Sequence, residues 1–118
     1  MIRTHRDLRV WKAAIELVRN VYTVTSSFPK EELYGLTSQM RRAAVSVPAN
    51  IAEGAARKGS KELIHFLSIA SGSLAELDAL LEIAKETGIM NDAEKIRVKI
   101  DEVSALVLAL AKSIKSKT

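Results

Sequence analysis

Glu62 and His65 stand three residues apart, the Glu-x-x-His spacing with which di-iron carboxylate bundles hold their metal. Such a centre needs a second pair of this kind and further glutamates pointing inward from the other helices. The chain has two histidines, and the other, His5, belongs to the N-terminal tail. The apolar seams traced below carry no inward carboxylate, so the spacing reads as coincidence and His65 as a surface residue. Ser71-Gly72-Ser73 offers hydroxyls but no base to activate one, and reads instead as a place where two helices cross closely. Cysteine is absent, as are a phosphate-cradling glycine loop, a zinc-spaced cluster and a His-x-x-x-His pair. These residues lead to the expectation of a non-enzymatic protein with no cofactor, metal or small-molecule substrate.

The remaining chemistry is charge. Residues 1–60 carry ten Lys/Arg against five Asp/Glu, whereas residues 61–118 carry eight against nine. A basic half attracts phosphate backbones or an acidic partner, although an ordinary solvated surface carries the same residues. Arg9, Lys12 and Arg19 fall on the exposed side of the first helix, with Arg3 and Arg6 before them and Arg41, Arg42, Arg57 and Lys58 after them. Side chains of this kind neutralise phosphates and make binding fall steeply with salt. Trp11, Tyr22, Phe28, Tyr34 and Phe66 could stack on bases, but Trp11 and Tyr22 sit on an apolar seam. The expectation is therefore non-specific RNA or DNA binding through backbone or shape.

Four helices must position these groups. The first, about 7–26, carries two adjacent seams: Leu8, Trp11, Ile15, Val18 and Tyr22, and beside them Val10, Ala14, Leu17, Val21 and Val24. Asp7 is placed to cap it. The second, about 31–57, presents Leu33, Leu36, Met40, Ala43, Val47, Ile51 and Gly54. Lys58-Gly59 then breaks the pattern, and Ser60 is placed to cap the third helix. That helix, about 61–87, steps by threes and fours through Leu63, Leu67, Ala70, Leu74, Leu77, Leu81 and Ala84, and Gly88 stops it. The fourth, about 92–116, repeats the device with Ile96, Ile100, Val103, Val107, Leu110 and Ile114.

Short links between helices of this length predict an all-α, antiparallel up-and-down four-helix bundle filling one domain, 1–118. The longest apolar run, 105–111, falls short of the ~18 residues of a membrane span. The basic N-terminus lacks the apolar core of a signal peptide. No membrane association and a cytoplasmic location are expected.

The second helix raises a question of its own. Pro48 lies inside it, where a proline removes one backbone hydrogen bond and costs roughly 3 kcal/mol. Gln39, Arg42, Ser46, Asn50, Glu53 and Arg57 share a narrow polar stripe between the core face and a second face holding Tyr34, Val45, Pro48, Ala52 and Ala56. Two buriable faces suit a helix pressed against both its own bundle and a second subunit, with Pro48 bending it to follow both surfaces and Ser46 bonding back to a carbonyl. A plain proline kink in a monomer is the competing account. Tyr34, Val45, Pro48, Ala52, Glu53 and Ala56 are the candidate oligomer contacts. Glu53, if buried there, needs a cation, and Arg57 and Arg42 share its stripe; a structural ion-pair network is preferred to an active site.

DLRVWKAA near the start, YGLTSQMRRAAVSVPANIAEGAAR in the second helix and FLSIASGSLAEL in the third resemble the four-helix bundle family of 23S ribosomal RNA intervening-sequence proteins. The similarity covers almost the whole chain. Arg41, Arg42, Pro48, Asn50, Glu53, Gly54 and Arg57 match the family's second-helix pattern, and Gly72, Ser73, Glu76 and Leu77 its third. Ser71 departs from it, standing where relatives often carry arginine. The resemblance implies a non-enzymatic homopentamer, some relatives being encoded inside insertions in ribosomal RNA genes. A similar bundle is the accessory variability determinant protein of diversity-generating retroelements, which binds nucleic acid and a reverse transcriptase. An alternative role follows, as a protein-binding scaffold or accessory subunit of a nucleic-acid enzyme such as a reverse transcriptase.

Overall fold

Apolar residues at alternating steps of three and four give each helix an apolar face, and burying those faces against one another organises the chain. The computed structural model describes residues 4–117. It holds four α-helices: α1 (Arg9–Thr25), α2 (Leu36–Ala56), α3 (Ser60–Glu86) and α4 (Glu94–Ser116). Short 3-10 turns lie at His5–Asp7 and Lys30–Glu32, and no strand occurs among the described residues. Each helix packs on the next, and α1 also packs on α4. The molecule measures 47 × 21 × 19 Å. Its length suits α3, whose 27 residues span about 40 Å at ~1.5 Å per residue.

All seven residues of the α3 seam are buried, as are Leu36, Met40, Ala43, Val47, Ile51 and Gly54 on α2. On α4 the burial covers Ile96, Ile100, Val103 and Val107, while Leu110 and Ile114 are only half-buried. Of the two seams on α1, the core takes Val10, Ala14, Leu17 and Val21. The other lies along the margin: Leu8, Trp11, Ile15 and Val18 are half-buried and Tyr22 is exposed. Tyr22 is thus not a core residue, because α1 leans only on α2 and α4 and cannot bury two full stripes.

The helix ends differ from expectation in four places. Helix α1 starts at Arg9 with Leu8 in the cap position and no side-chain cap bond; the Asp7 side chain, like Arg3, lies outside the described residues. The segment expected to open the second helix at residue 31 is a 3-10 turn. At Gly35 the backbone (φ −114°, ψ −111°) interrupts it, and the Leu36 N–H donates to Glu32 Oε1 at 3.2 Å. Gly59 rather than Ser60 occupies the α3 cap position. Asp92 precedes α4 and accepts from the Glu94 N–H at 3.0 Å. Gly88 does end α3: its φ of +77° turns the chain so that the Ile89 N–H reaches the Ala84 carbonyl at 3.0 Å. Among the described residues α3 alone is long and apolar enough to cross a membrane, by length and composition, a property the longest unbroken apolar run does not reveal. Its leucines form one wall of the core.

The close approach of α2 and α3 lies at Gly54, where a Cβ would meet Phe66 Cβ at 2.8 Å and Leu63 Cδ1 at 3.0 Å. At Gly72 a Cβ would meet nothing within 4 Å, so Ser71-Gly72-Ser73 is not the tight crossing. Ser73 instead donates to Ser46 Oγ at 2.9 Å. Ser46 therefore faces α3, and its hydroxyl also accepts from Asn50 Nδ2 at 2.9 Å rather than bonding back to a carbonyl. Pro48 is buried inside the single subunit. It is accordingly removed from the candidate oligomer contacts.

Candidate nucleic-acid interface

Helical spacing sets Arg9, Lys12, Glu16 and Arg19 along one exposed stripe of α1. The single carboxylate among them is taken: Glu16 Oε2 accepts from Lys99 Nζ of α4 at 3.0 Å, and Lys99 also reaches Glu102 at 3.1 Å. The bond to Glu16 raises the pKa of the Lys99 ammonium above its ordinary value, with Glu102 adding to the rise and burial opposing it. Arg9, Lys12 and Arg19 have no carboxylate partner among the described residues. On α2, Glu53 is taken by Arg57 at 2.9 Å, both side chains being about half exposed, while Arg42 is exposed and unpaired. Elsewhere the pairing runs the other way, Arg97 serving both Glu82 at 2.9 Å and Asp78 at 3.6 Å. Cations without an ion pair also occur on α3 and α4, at Lys61, Lys85, Lys95 and Lys112, but among the described residues only α1 and α2 have every carboxylate of the helix already paired.

Where α1 ends and α2 begins, the chain builds a more ordered feature. Thr25 is buried, donates to the Val21 carbonyl at 2.7 Å and accepts from Arg41 Nε at 2.8 Å. The Arg41 guanidinium also lies 4.5 Å from the centroid of the Tyr22 ring, a cation–π contact. Arg41, expected as a free phosphate contact, is half-buried and held in place. The bend before Gly35 leaves the Tyr34 side chain 93% exposed, off the helix face to which its spacing had assigned it. Tyr22, Tyr34, Arg41, Arg42 and Val45 line an open groove of about 600 Å³ with no carboxylate in its wall. A second groove of about 510 Å³ shares Tyr34 and Arg42 and reaches Ser73 and Glu76.

The other basic candidates lie apart. Arg57 is committed to Glu53 and sits 5.3 Å from the Phe66 centroid, and Lys58 is exposed just beyond it. From Arg42 to Arg57 is about 22 Å along the helix at ~1.5 Å per residue. The basic residues thus form three groups: the α1 stripe, Arg41 with Arg42, and Arg57 with Lys58. Among the candidate oligomer contacts, Tyr34, Val45 and Ala56 are exposed, Ala52 is half-buried, and Glu53 is exposed and already paired. His65 is exposed and meets Phe66 edge-on at 5.5 Å. Among the described residues no three His, Cys, Asp or Glu side chains are grouped to hold a metal.

The 23S rRNA-intervening sequence protein family matches residues 6–109. The chain belongs to this family. No curated protein matches it. In this member of the intervening-sequence family, the matched segment runs from the residues before α1 to Ala109 in α4. The α1 stripe, the Arg41–Tyr22 contact and both grooves all fall within it.

Proposed function

We propose that this protein is a non-enzymatic, homo-oligomeric four-helix bundle that binds RNA or DNA non-specifically through the basic surface of α1 and α2. The observation that carries the reading is the uneven pairing of charge. Among the described residues, the carboxylates of α1 and α2, Glu16 and Glu53, are occupied, which leaves Arg9, Lys12, Arg19 and Arg42 available to meet phosphates. Membership in a family named for insertions in 23S ribosomal RNA supports the same direction.

Paired contacts support an antiparallel, up-and-down path through one domain. Gly54 faces Leu63 and Phe66 while Ser46 faces Ser73, and Arg97 faces Glu82 and Asp78. Exposed Val45 and Ala56 beside half-buried Ala52 are the surface assigned to self-assembly, and five subunits is the number the family resemblance implies. Repetition around such a ring multiplies phosphate contacts without any base-specific readout. A cytoplasmic location suits that role. The scaffold alternative draws on the exposed apolar residues Tyr22, Leu33, Tyr34 and Val45, which a protein partner would also cover.

Binding of a structured RNA across a salt series tests the proposal. Each phosphate contact contributes about 0.9 to the slope of log K against log salt on a duplex. Replacing Arg9, Lys12 and Arg19 together with Gln should lower that slope by about 2–3 and weaken binding most at low salt. No binding at low salt, or a slope the triple variant leaves unchanged, would remove the α1 surface from the account.

A further inference from the structure

We propose that the groove between Tyr22, Tyr34 and Arg42 seats one nucleotide of a single strand, its base stacked on Tyr34 and its phosphate on Arg42. The inference rests on the nucleic-acid reading above and specifies which form is preferred. Exposed large apolar side chains are ordinary when scattered singly. Here Tyr22, Leu33 and Tyr34 gather around one groove, and Tyr34 is 93% exposed.

The charge on the groove narrows the occupant. Two guanidiniums line it and no carboxylate does; Glu76 lines the neighbouring groove that shares Arg42, and forms no ion pair with it. Arg41 is held by Thr25 and by the Tyr22 ring, so this wall is positioned before any ligand arrives. An aromatic face beside two cations, one of them held in place, suits a ligand that is both planar and anionic. A volume of about 600 Å³ falls within the ~300–1,000 Å³ of small-ligand sites.

A duplex hides its base faces inside the stack, whereas single strands splay bases onto aromatic side chains and leave the phosphates to arginine. Such stacking tolerates any base, so it remains compatible with non-specific binding. A protein segment seated here would have to cover both guanidiniums, and the groove itself supplies no carboxylate to balance them.

Tyr34→Ala separates the possibilities, because a side chain so exposed can be removed without disturbing the core. Affinity is measured for a short oligouridine and for a duplex of equal length, alongside Tyr34→Phe and Arg42→Gln and the mass of each free protein. Tyr34→Ala should weaken single-strand binding about tenfold, leave the duplex unchanged and keep the salt slope. Tyr34→Phe should retain binding, and Arg42→Gln should reduce the slope on the single strand by about 0.7. Equal losses on both substrates, or none, overturn the proposal while leaving the α1 surface in place. A Tyr34→Ala protein that binds normally but changes its assembly mass would show that a second copy fills the groove. Failure of the wild type to bind either substrate would sink both this inference and the reading beneath it.

Discussion

Replacing Gly54 by Ala sets two effects of known sign against each other. Alanine is favoured over glycine inside a helix by about 1 kcal/mol, which alone would stabilise α2. The added methyl, however, would lie 2.8 Å from Phe66 Cβ and 3.0 Å from Leu63 Cδ1. Leu63 Cδ1 is the end of a flexible side chain and can turn away. Phe66 Cβ is fixed to the α3 backbone, so relief requires α2 and α3 to separate. Overpacking of this kind costs about 1–3 kcal/mol, and here the contact recruits backbone, which puts the cost in the upper part of that range. The net result should be a loss of about 1–2 kcal/mol, or roughly 4–8 °C in Tm for a chain of this size. Gly72→Ala provides the control: the same propensity gain with nothing within 4 Å should stabilise by about 0.5–1 kcal/mol. Thermal and urea unfolding followed by circular dichroism, at one fixed protein concentration, compares the three proteins. If Gly54→Ala melts at or above the wild type while Gly72→Ala behaves as expected, the tight α2–α3 contact is refuted.

Two further outcomes follow from individual contacts. Gly88→Ala places a side chain at φ +77° and should cost about 1–2 kcal/mol, read as a lower urea midpoint with an unchanged m-value. Because the Lys99 pKa is raised in the folded chain, its contribution is complete below the unfolded value of about 10.4. That contribution disappears as pH climbs through the higher folded value. Stability from this pair should thus be level near neutrality and decline above about pH 10.4, and Lys99→Met should show a shallower alkaline decline than the wild type.

The strongest periodicity was the most legible. The α3 seam has its leucines and alanines in the core at every position, because a long amphipathic helix leaves only one way to bury its stripe. Gly88 as a stop was legible for a local reason, the positive φ that glycine tolerates. What required the fold was the choice between equals. Both α1 seams have helical spacing, and only the placement of α2 and α4 decides that Val10, Ala14, Leu17 and Val21 go inward while Tyr22 stays out. The break at Gly35 was hidden by an otherwise helix-compatible stretch, and it moved Tyr34 from a helix flank to an exposed bend. Pro48 shows the same limit: a helical wheel separates it from the core face by a modest angle, and only the packed fold shows it buried. Gly72 lies off the α3 seam, a signal against a close crossing there, whereas Gly54 lies on the α2 core face and is the true contact. The Thr25–Arg41–Tyr22 arrangement joins α1 to α2, and no spacing within either helix announces it.

The most direct test of the account is the mass of the particle in solution, measured by light scattering with and without a structured RNA at rising salt. A protein particle several times the 12.9 kDa chain is expected, taking up RNA at low salt, releasing it as salt rises, and keeping its own mass throughout. A 12.9 kDa species at micromolar concentration, or an assembly that ignores RNA even at low salt, would contradict it.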